Sequence, residues 1–376
     1  VSPTASEWQG KGIHMTEYAL RRGRLLASVQ SDGFVAVNQE DSDPVSLRYL
    51  TGFTGEGALV LGDSLALLLT DSRYTQQARQ EVEGIDVEET KSWSVKGLLE
   101  VLKKHHISRA TVASDRISVY WYGEVQRDGS VILDAVRDPV AQLRRVKSEP
   151  ELDHLRHAAR VAEDVLRDLL PWIRIGMTEA EIALELEMRI RRSGVEGIAF
   201  SSNVSAGSNT ALNHYSPFHH PVALRPGDLL LFDFGACAQG YRSDITRTVV
   251  VGDPTEEQRR IYDTVLRANE QAIQAVRAGM SGIDADAVAR DLITQAGYGE
   301  AFGHGLGHGI GLEVHESPSL SPRSTDTLEA GMVVTVEPGI YFSSIGGVRI
   351  EDDVIIRDTG CDVITSFPKK ELISVG

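Results

Sequence analysis

The sequence predicts two domains of mixed α+β structure, the second and larger one assembled from two copies of a single helix–helix–sheet unit. Three observations carry this expectation. The chain has 376 residues, enough for two domains with substantial cores. Its first part mixes strand-like and helical stretches without an obvious chemical cluster. Its second part repeats three signatures in the same order. Arg174-Ile-Gly-Met-Thr178 returns as Arg277-Ala-Gly-Met-Ser281. Gly227, followed by an apolar run to Asp233 and then Gly235, returns as Gly331, Glu337 and Gly339. Arg242-Ser-Asp244 returns as Arg349-Ile-Glu351. One such recurrence arises easily by chance; three in order do not. They predict two units related by a pseudo-twofold axis.

Residues 1–14 resemble neither a leader nor a core element. His14 directly before Met15 has the look of a cloning junction, so 1–14 are read as vector-derived and left out of the fold. Residues 15–147 are expected to form the smaller α/β domain. Thr16–Val29 has helical periodicity and Gly33–Val37 reads as a strand. Ala58–Leu61 and Leu65–Leu69 flank Gly62-Asp63-Ser64, a hairpin pattern. Asp71–Glu81 reads as a polar helix, Ile85–Glu89 as a strand, Val95–Lys104 as a helix and Ala110–Ser114 as a strand. Ser148 followed by Glu149, Pro150 and Glu151 is a strong helix start, with proline and acids in the first turn. The second domain is therefore placed at 148–376. Its first helix runs to about Leu170, ahead of Pro171. Thr178 and Glu181 form a capping box for the next, Glu179–Ser193. A long amphipathic helix and a second one ending near Gly297 repeat the arrangement.

The formal net charge is -16. This disfavours nucleic acid or an anionic membrane as partner, since both require a basic surface. Cys237 and Cys361 are the two cysteines, with no Cys-x-x-Cys, so neither a disulfide framework nor a thiolate zinc site is expected. A reducing, cytoplasmic setting is the corresponding expectation.

The most unusual stretch runs from Ala301 to Glu316. It holds His304, His308 and His315, three of the chain's 11 histidines, with glycine at 303, 305, 307, 309 and 311. Alternating glycine weakens a strand and is tolerated where backbone or ligand approaches closely. No Gly-Lys-Ser/Thr follows, so a phosphate loop is not supported.

Acids inside apolar runs also require explanation. Asp233 lies in Leu-Leu-Leu-Phe-Asp-Phe and Glu337 in Val-Val-Thr-Val-Glu-Pro. A buried carboxylate must be paired, protonated or metal-bound. The repeat supplies four such acids, Asp233, Asp244, Glu337 and Glu351, against Arg242 and Arg349. Two arginines cannot neutralise four acids. Strand alternation would put Asp244 with Arg242 and Thr246, and Glu351 with Arg349 and Asp353. If the pseudo-axis joins these faces, mutual repulsion raises the acids' pKa values unless cations lie between them. Two divalent metals resolve the conflict, with His308 as the candidate nitrogen ligand. Such a donor set suits Mn²⁺, Co²⁺, Fe²⁺ or Zn²⁺. A metal pair can polarise a carbonyl and activate a water between the ions, which points to hydrolysis. Neither His-Glu-x-x-His nor Gly-x-Ser-x-Gly is present.

At these residues the chain resembles the metallopeptidases of the pita-bread fold, the methionine aminopeptidase, aminopeptidase P and prolidase superfamily. The matching segments are Asn213-His-Tyr215, Leu231-Phe-Asp-Phe-Gly235, Ser243-Asp-Ile-Thr-Arg-Thr248, the run from His304 to Glu316, Val336-Glu-Pro-Gly339 and Val348-Arg-Ile-Glu-Asp352. Tyr49-Leu-Thr-Gly-Phe53 and Thr70-Asp-Ser-Arg-Tyr74 resemble the N-terminal domain of Xaa-Pro peptidases. The resemblance implies a C-terminal pita-bread domain and five metal ligands. Asp233 and Asp244 would bind one ion, His308 and Glu337 the other, with Asp244 and Glu351 bridging. It implies that Glu337 shuttles a proton. His214, His304 and His315 would line the substrate pocket and steady the tetrahedral intermediate, with Arg349 beside it. The implied cofactor is a pair of divalent ions, Mn²⁺ foremost, with Co²⁺ or Zn²⁺ as substitutes. The implied assembly is a homodimer.

The activity so implied is hydrolysis of an N-terminal Xaa-Pro bond, by an Xaa-Pro aminopeptidase or, alternatively, a prolidase restricted to dipeptides. A metal-free creatinase-like hydrolase and a non-catalytic binding module share the fold. Ligating residue types at all five positions argue against both.

Overall fold

The computed structural model describes residues 16–91 and 93–376; the stretch read as vector-derived, 1–14, lies outside the described residues. The chain divides between Arg144 and Arg145 into two compact units.

The N-terminal unit runs α1 (Glu17–Ser28), β1 (Gly33–Asn38), α2 (Pro44–Thr51), β2 (Gly57–Gly62), β3 (Leu65–Asp71), α3 (Thr75–Glu81), β4 (Asp86–Thr90), α4 (Val95–Lys104), β5 (Arg109–Ala113), α5 (Val119–Asp128), β6 (Ile132–Val136) and α6 (Pro139–Arg144). Its strands form one mixed sheet in the order β4-β3-β2-β1-β5-β6. Every residue of β1 and β2 is buried, which is why they read as continuous apolar runs rather than alternating ones. The β2–β3 hairpin closes with Gly62 opposite Leu65. Asp71 belongs to β3, and the helix expected to begin there starts at Thr75. Three helices escaped the sequence reading: α2, α5 and the short α6. The short α2 is set by its ends, with Asp43 accepting from the Ser46 N–H and Gly52 in a left-handed conformation after it. In α5 only Trp121 and Val125 are buried, while Val119 and Tyr120 are 89% and 67% exposed, so its apolar stripe is narrow.

The C-terminal unit opens with α7 (Glu149–Leu169), whose first turn carries the Ser148–Glu151 capping box and Pro150. α8 (Glu179–Arg192) follows behind its own box from Thr178 and Glu181. Then come β7 (Gly197–Ile198), β8 (Asn203–Ala206), β9 (Leu229–Phe234), β10 (Ala236–Ala238), β11 (Tyr241–Arg242) and β12 (Ile245–Val251). The second copy has α9 (Glu256–Ala275), α10 (Gly282–Gln295), β13 (Gly307–Gly309), β14 (Glu316–Leu320), β15 (Val333–Val336), β16 (Gly339–Phe342), β17 (Gly346–Arg349) and β18 (Asp352–Arg357), followed by β19 (Gly360–Val363) and β20 (Ser374–Val375). The main sheets run β20-β12-β9-β8 and β14-β13-β15-β18-β19.

The repeat is visible in the backbone. Thr178, which caps α8, bridges Ala223, and Ser281, which caps α10, bridges Thr327. Gly227 and Gly331 turn the chain into β9 and β15 at φ 90° and 89°, a conformation that favours glycine. Each copy buries its helix pair on its own sheet. In the first, Leu166, Ile182 and Leu186 pack with Phe232, Phe234 and Val249. In the second, Ile261, Val265 and Ile293 pack with Val334 and Val354. Truncating one such aliphatic side chain to alanine typically costs roughly 2–5 kcal/mol, because the cavity only partly collapses.

The copies join where β12 meets the β17–β18 junction. Thr248 and Arg349 exchange hydrogen bonds at 3.0 and 3.1 Å, and the Glu351 N–H donates to the Thr246 carbonyl at 3.1 Å.

Candidate active site

The residues singled out in the sequence do not lie in uninterrupted strands as expected. Asp233 is inside β9, but Glu337 comes just after β15, Asp244 between β11 and β12, and Glu351 between β17 and β18. The breaks have a cause. At the junction, backbone donors cross to the other copy instead of continuing a ladder: Asp244 N–H to Asp353 Oδ2 at 3.1 Å, Glu351 N–H to Thr246. Each break turns one acid inward.

All nine residues named above line a single cavity of about 690 Å³: Asp233, Asp244, Glu337, Glu351, His308, His214, His304, His315 and Arg349. Asp244 and Glu351 are buried, 4% and 2% exposed. Burial, reinforced by the neighbouring acids, pushes both carboxyls well above the ordinary range. Glu337 is raised to about 7, mainly by burial, with Arg349 pulling the other way. Asp353, absent from the sequence-derived set, is raised for the same first reason.

Cations are scarcer than the sequence suggested. Arg349 donates to Asp233 Oδ2 at 2.5 Å and lies 4.0 Å from Glu337 Oε2. Arg242 instead gives its guanidinium to the Leu312 and Ala199 carbonyls. It neutralises none of the four acids.

His308 is held by glycine-rich backbone. A Cβ on Gly307 would meet the Thr335 carbonyl oxygen at 2.0 Å, and one on Gly309 the Ser317 oxygen at 2.5 Å. The alternating glycines therefore let β14 and β15 close around β13. His308 Nδ1 lies 3.1 Å from the Gly309 carbonyl, so it carries the proton and donates. Burial lowers the pKa of the ring and keeps it neutral. Its Nε2 lone pair then faces Glu337 Oε1 at 3.3 Å and Asp244 Oδ2 at 3.8 Å. With a neutral ring these contacts are not ion pairs; the Nε2 lone pair lies beside two crowded carboxyl groups. Such a place calls for a cation, and donation from Nδ1 to a carbonyl is the usual support of a metal-binding imidazole.

Other buried oxygens point the same way. Asp244 Oδ1, Glu351 Oε1 and Asp353 Oδ1 have no partner among the described residues. One ligand atom each from Asp244, His308 and Glu351 lie within 4.8 Å of one another. The donor set of carboxylates and one imidazole fits a divalent ion.

The three other histidines differ from one another. His214 and His315 are exposed, and their rings make no hydrogen bond among the described residues. His315 packs on His308, with ring centroids 4.3 Å apart. His304 has both nitrogens taken, Nδ1 by the Gly305 carbonyl at 2.8 Å and Nε2 by Tyr341 Oη at 2.7 Å. Burial and the nearby Arg349 charge depress its pKa to about 4. Arg349 also donates to Tyr341 Oη at 2.9 Å, so a chain runs Arg349, Tyr341, His304, Gly305. As arranged here, His304 has no spare donor for a substrate oxygen. Tyr341 was missed in the sequence because a lone tyrosine two residues after Gly339 has no motif of its own. Thr246 was noted only for its face; its hydroxyl accepts from Arg349 Nε at 3.0 Å and donates to Glu351 Oε2 at 2.6 Å.

A buried cluster of acids and one neutral imidazole, set at the junction of two repeats and opening into a cavity, defines a hydrolytic metal centre. The chain belongs to metallopeptidase family M24, whose profile matches residues 153–358, with a creatinase/prolidase N-terminal domain matched over 24–146. It is 41% identical over 333 residues to the uncharacterized peptidase YqhT of Bacillus subtilis, covering 87% of this chain and 93% of that protein. Among solved structures it is similar to an X-Pro aminopeptidase from Thermotoga maritima, at 38% identity and TM-score 0.88, covering 94% of this chain and all of that one. It is equally similar to an Xaa-Pro dipeptidase from Bacillus anthracis, at 37% identity and TM-score 0.89, covering 95% and 100%. The two-domain pita-bread architecture and the dependence on divalent metal follow from that membership.

Proposed function

We propose that the chain hydrolyses the Xaa-Pro bond at the N-terminus of peptides, as an Xaa-Pro aminopeptidase. The observation that carries this reading is likeness to an X-Pro aminopeptidase over both domains, combined with the cluster of unpartnered acids beside His308. The second reading is an Xaa-Pro dipeptidase, favoured by an equally similar structure.

In this reading Asp233, Asp244, His308, Glu337 and Glu351 hold two divalent ions per subunit, with Mn²⁺ expected and Co²⁺ or Zn²⁺ as substitutes. When bound, the ions supply Lewis acidity and a water activated near neutral pH. The remaining work belongs to side chains. Glu337 takes a proton from the attacking water and returns it to the prolyl nitrogen as that nitrogen leaves. A carboxylate beside the attacking water serves both directions of transfer. Arg349 fixes Asp233. His214 and His315, with free ring nitrogens, serve the developing oxyanion, while His304 and Tyr341 orient Arg349. Proline suits such a site because its tertiary amide offers no N–H, so binding cannot depend on that donor.

Hydrolysis of an Xaa-Pro dipeptide and of a tripeptide with the same start, measured side by side, tests the assignment. Turnover of both supports the aminopeptidase. Turnover of the dipeptide alone selects the dipeptidase, and turnover of neither contradicts the reading.

We also place the catalytic domain at 148–376 and the N-terminal domain at 15–147, and assign the protein to the cytoplasm. No helix among the described residues is long and apolar enough to cross a membrane. A homodimer is proposed by analogy with the family's use of the N-terminal domain; light scattering checks it, and a fully active monomer would contradict it.

A further inference from the structure

Glu179 opens α8 and has no exposure to solvent, yet no cation among the described residues pairs with it. Its carboxylate instead collects four donors. Oε1 accepts from the Ala206 N–H at 2.6 Å and from Asn209 Nδ2 at 3.1 Å; Oε2 accepts from Tyr215 Oη at 2.6 Å and from the Val222 N–H at 2.9 Å. These donors span the segment 206–222, which carries His214 next to Tyr215. Glu179 does not line the cavity. Asn203 adds a second hold through its 3.3 Å bond to the Asn213 carbonyl.

The second copy has a counterpart on its matching helix. Asp286 in α10 is 1% exposed. Its Oδ1 accepts from the Leu306 N–H at 2.9 Å, and both oxygens bind Arg290, at 2.6 and 2.9 Å. Arg290 in turn donates to the carbonyls of Phe302 and His304, at 3.0 and 2.6 Å. These bonds span 302–306, which carries His304. The two acids do not occupy matching positions, because α10 has Gly282 where α8 has Glu179. A Cβ on Gly282 would meet the Ser319 oxygen at 2.2 Å. The same task is met one turn later.

We propose that Glu179 and Asp286 are positioning residues, each fixing the loop of one active-site histidine: Glu179 that of His214, and Asp286, through Arg290, that of His304. Neither touches substrate. The proposal rests on the functional reading above for its kinetic consequence but not for its structural one. A buried carboxylate that accepts several donors from one loop removes that loop's freedom, and a misplacement of about 1 Å can cost a hundredfold in rate.

The test uses the metal-loaded full chain with Glu179→Gln and Asp286→Asn, each alone and combined with His214→Ala or His304→Ala. Hydrogen exchange should rise in 206–222 for Glu179→Gln and in 302–306 for Asp286→Asn, each sparing the other loop and the metal content. Turnover of an Xaa-Pro peptide should fall roughly ten- to hundredfold for each. The losses should be non-additive only within the pairs Glu179/His214 and Asp286/His304. Additive losses in every pairing, or exchange rising throughout residues 145–376, would overturn the proposal and leave both acids merely structural. Should Asp286→Asn fail to fold, Arg290→Lys tests the same hold, as Tyr215→Phe does for Glu179. If the wild type cleaves no Xaa-Pro peptide, the functional reading fails while the loop-specific exchange still decides this one.

Discussion

Asp244 and Glu351 occupy matching places in the two repeats, and each ends in a buried oxygen that has no partner among the described residues. Together with His308 they bring three ligand atoms to within 4.8 Å of one another. Among the described residues, no arginine hydrogen-bonds either carboxylate. The protein holds the two acids together at an electrostatic cost, and burial raises the pKa of both. A divalent cation converts that cost into binding energy.

This cost can be measured without activity. Glu351→Gln keeps the side chain's shape and can still accept from Thr246, but it removes one repelling charge. In metal-stripped protein the variant should melt at the same temperature as wild type or higher. On adding Mn²⁺, wild type should gain stability and the variant much less, since a ligand stabilises the state that binds it. Thermal unfolding with and without metal checks both halves; an equal metal-induced gain in the two proteins would remove Glu351 from the ligand set.

The histidines should separate by metal content. His308→Ala removes the one imidazole placed among the acids and should lose both metal and activity. His214→Ala should keep its metal and lose turnover roughly a hundred- to thousandfold, or about 2.7–4 kcal/mol, as when a donor to an oxyanion is removed. His304→Ala should also keep its metal, with its effect passing through Tyr341 and Arg349. Metal analysis alongside kcat and KM tests the division; retention of both ions by His308→Ala would refute its role.

Much of this site was legible in the sequence because acids within apolar runs and alternating glycines are locally anomalous. Gly307 and Gly309 could be picked out before it was known which carbonyls approach them. The pairing of equivalent acids followed from the repeat. Less legible was anything decided by contacts between the copies. The strand breaks at Asp244 and Glu351 arise because their N–H groups are claimed across the junction, which alternation along one strand cannot reveal. For the same reason Arg242 was expected to help neutralise the acids, although it binds two carbonyls. Tyr341 matters through distant partners. In the N-terminal unit, the short α2 is set by its ends, and α5 buries only Trp121 and Val125.

The N-terminal unit makes its own pH prediction. Asp43, 1% exposed, caps α2 and is raised to about 6, chiefly by burial and secondarily by Asp138, against the pull of Ser46 and Arg116. With the folded value above the ordinary 3.8, its contribution is fully present below about pH 3.8 and is lost as pH rises through about 6. Asp43→Asn retains a capping oxygen and cannot ionise. Relative to that variant, wild type should lose on the order of 3 kcal/mol between those limits. Urea unfolding followed by tryptophan fluorescence gives the difference; parallel pH profiles would rule the effect out.

The central claim is that the acids and His308 form a site for two catalytic metal ions. The most direct measurement is a titration of metal-stripped protein with Mn²⁺, following bound metal and Xaa-Pro hydrolysis together. The account predicts no hydrolysis without metal and full activity when two ions are bound per chain. Full activity in metal-free protein, or tight binding of two ions without any gain in hydrolysis, would contradict it.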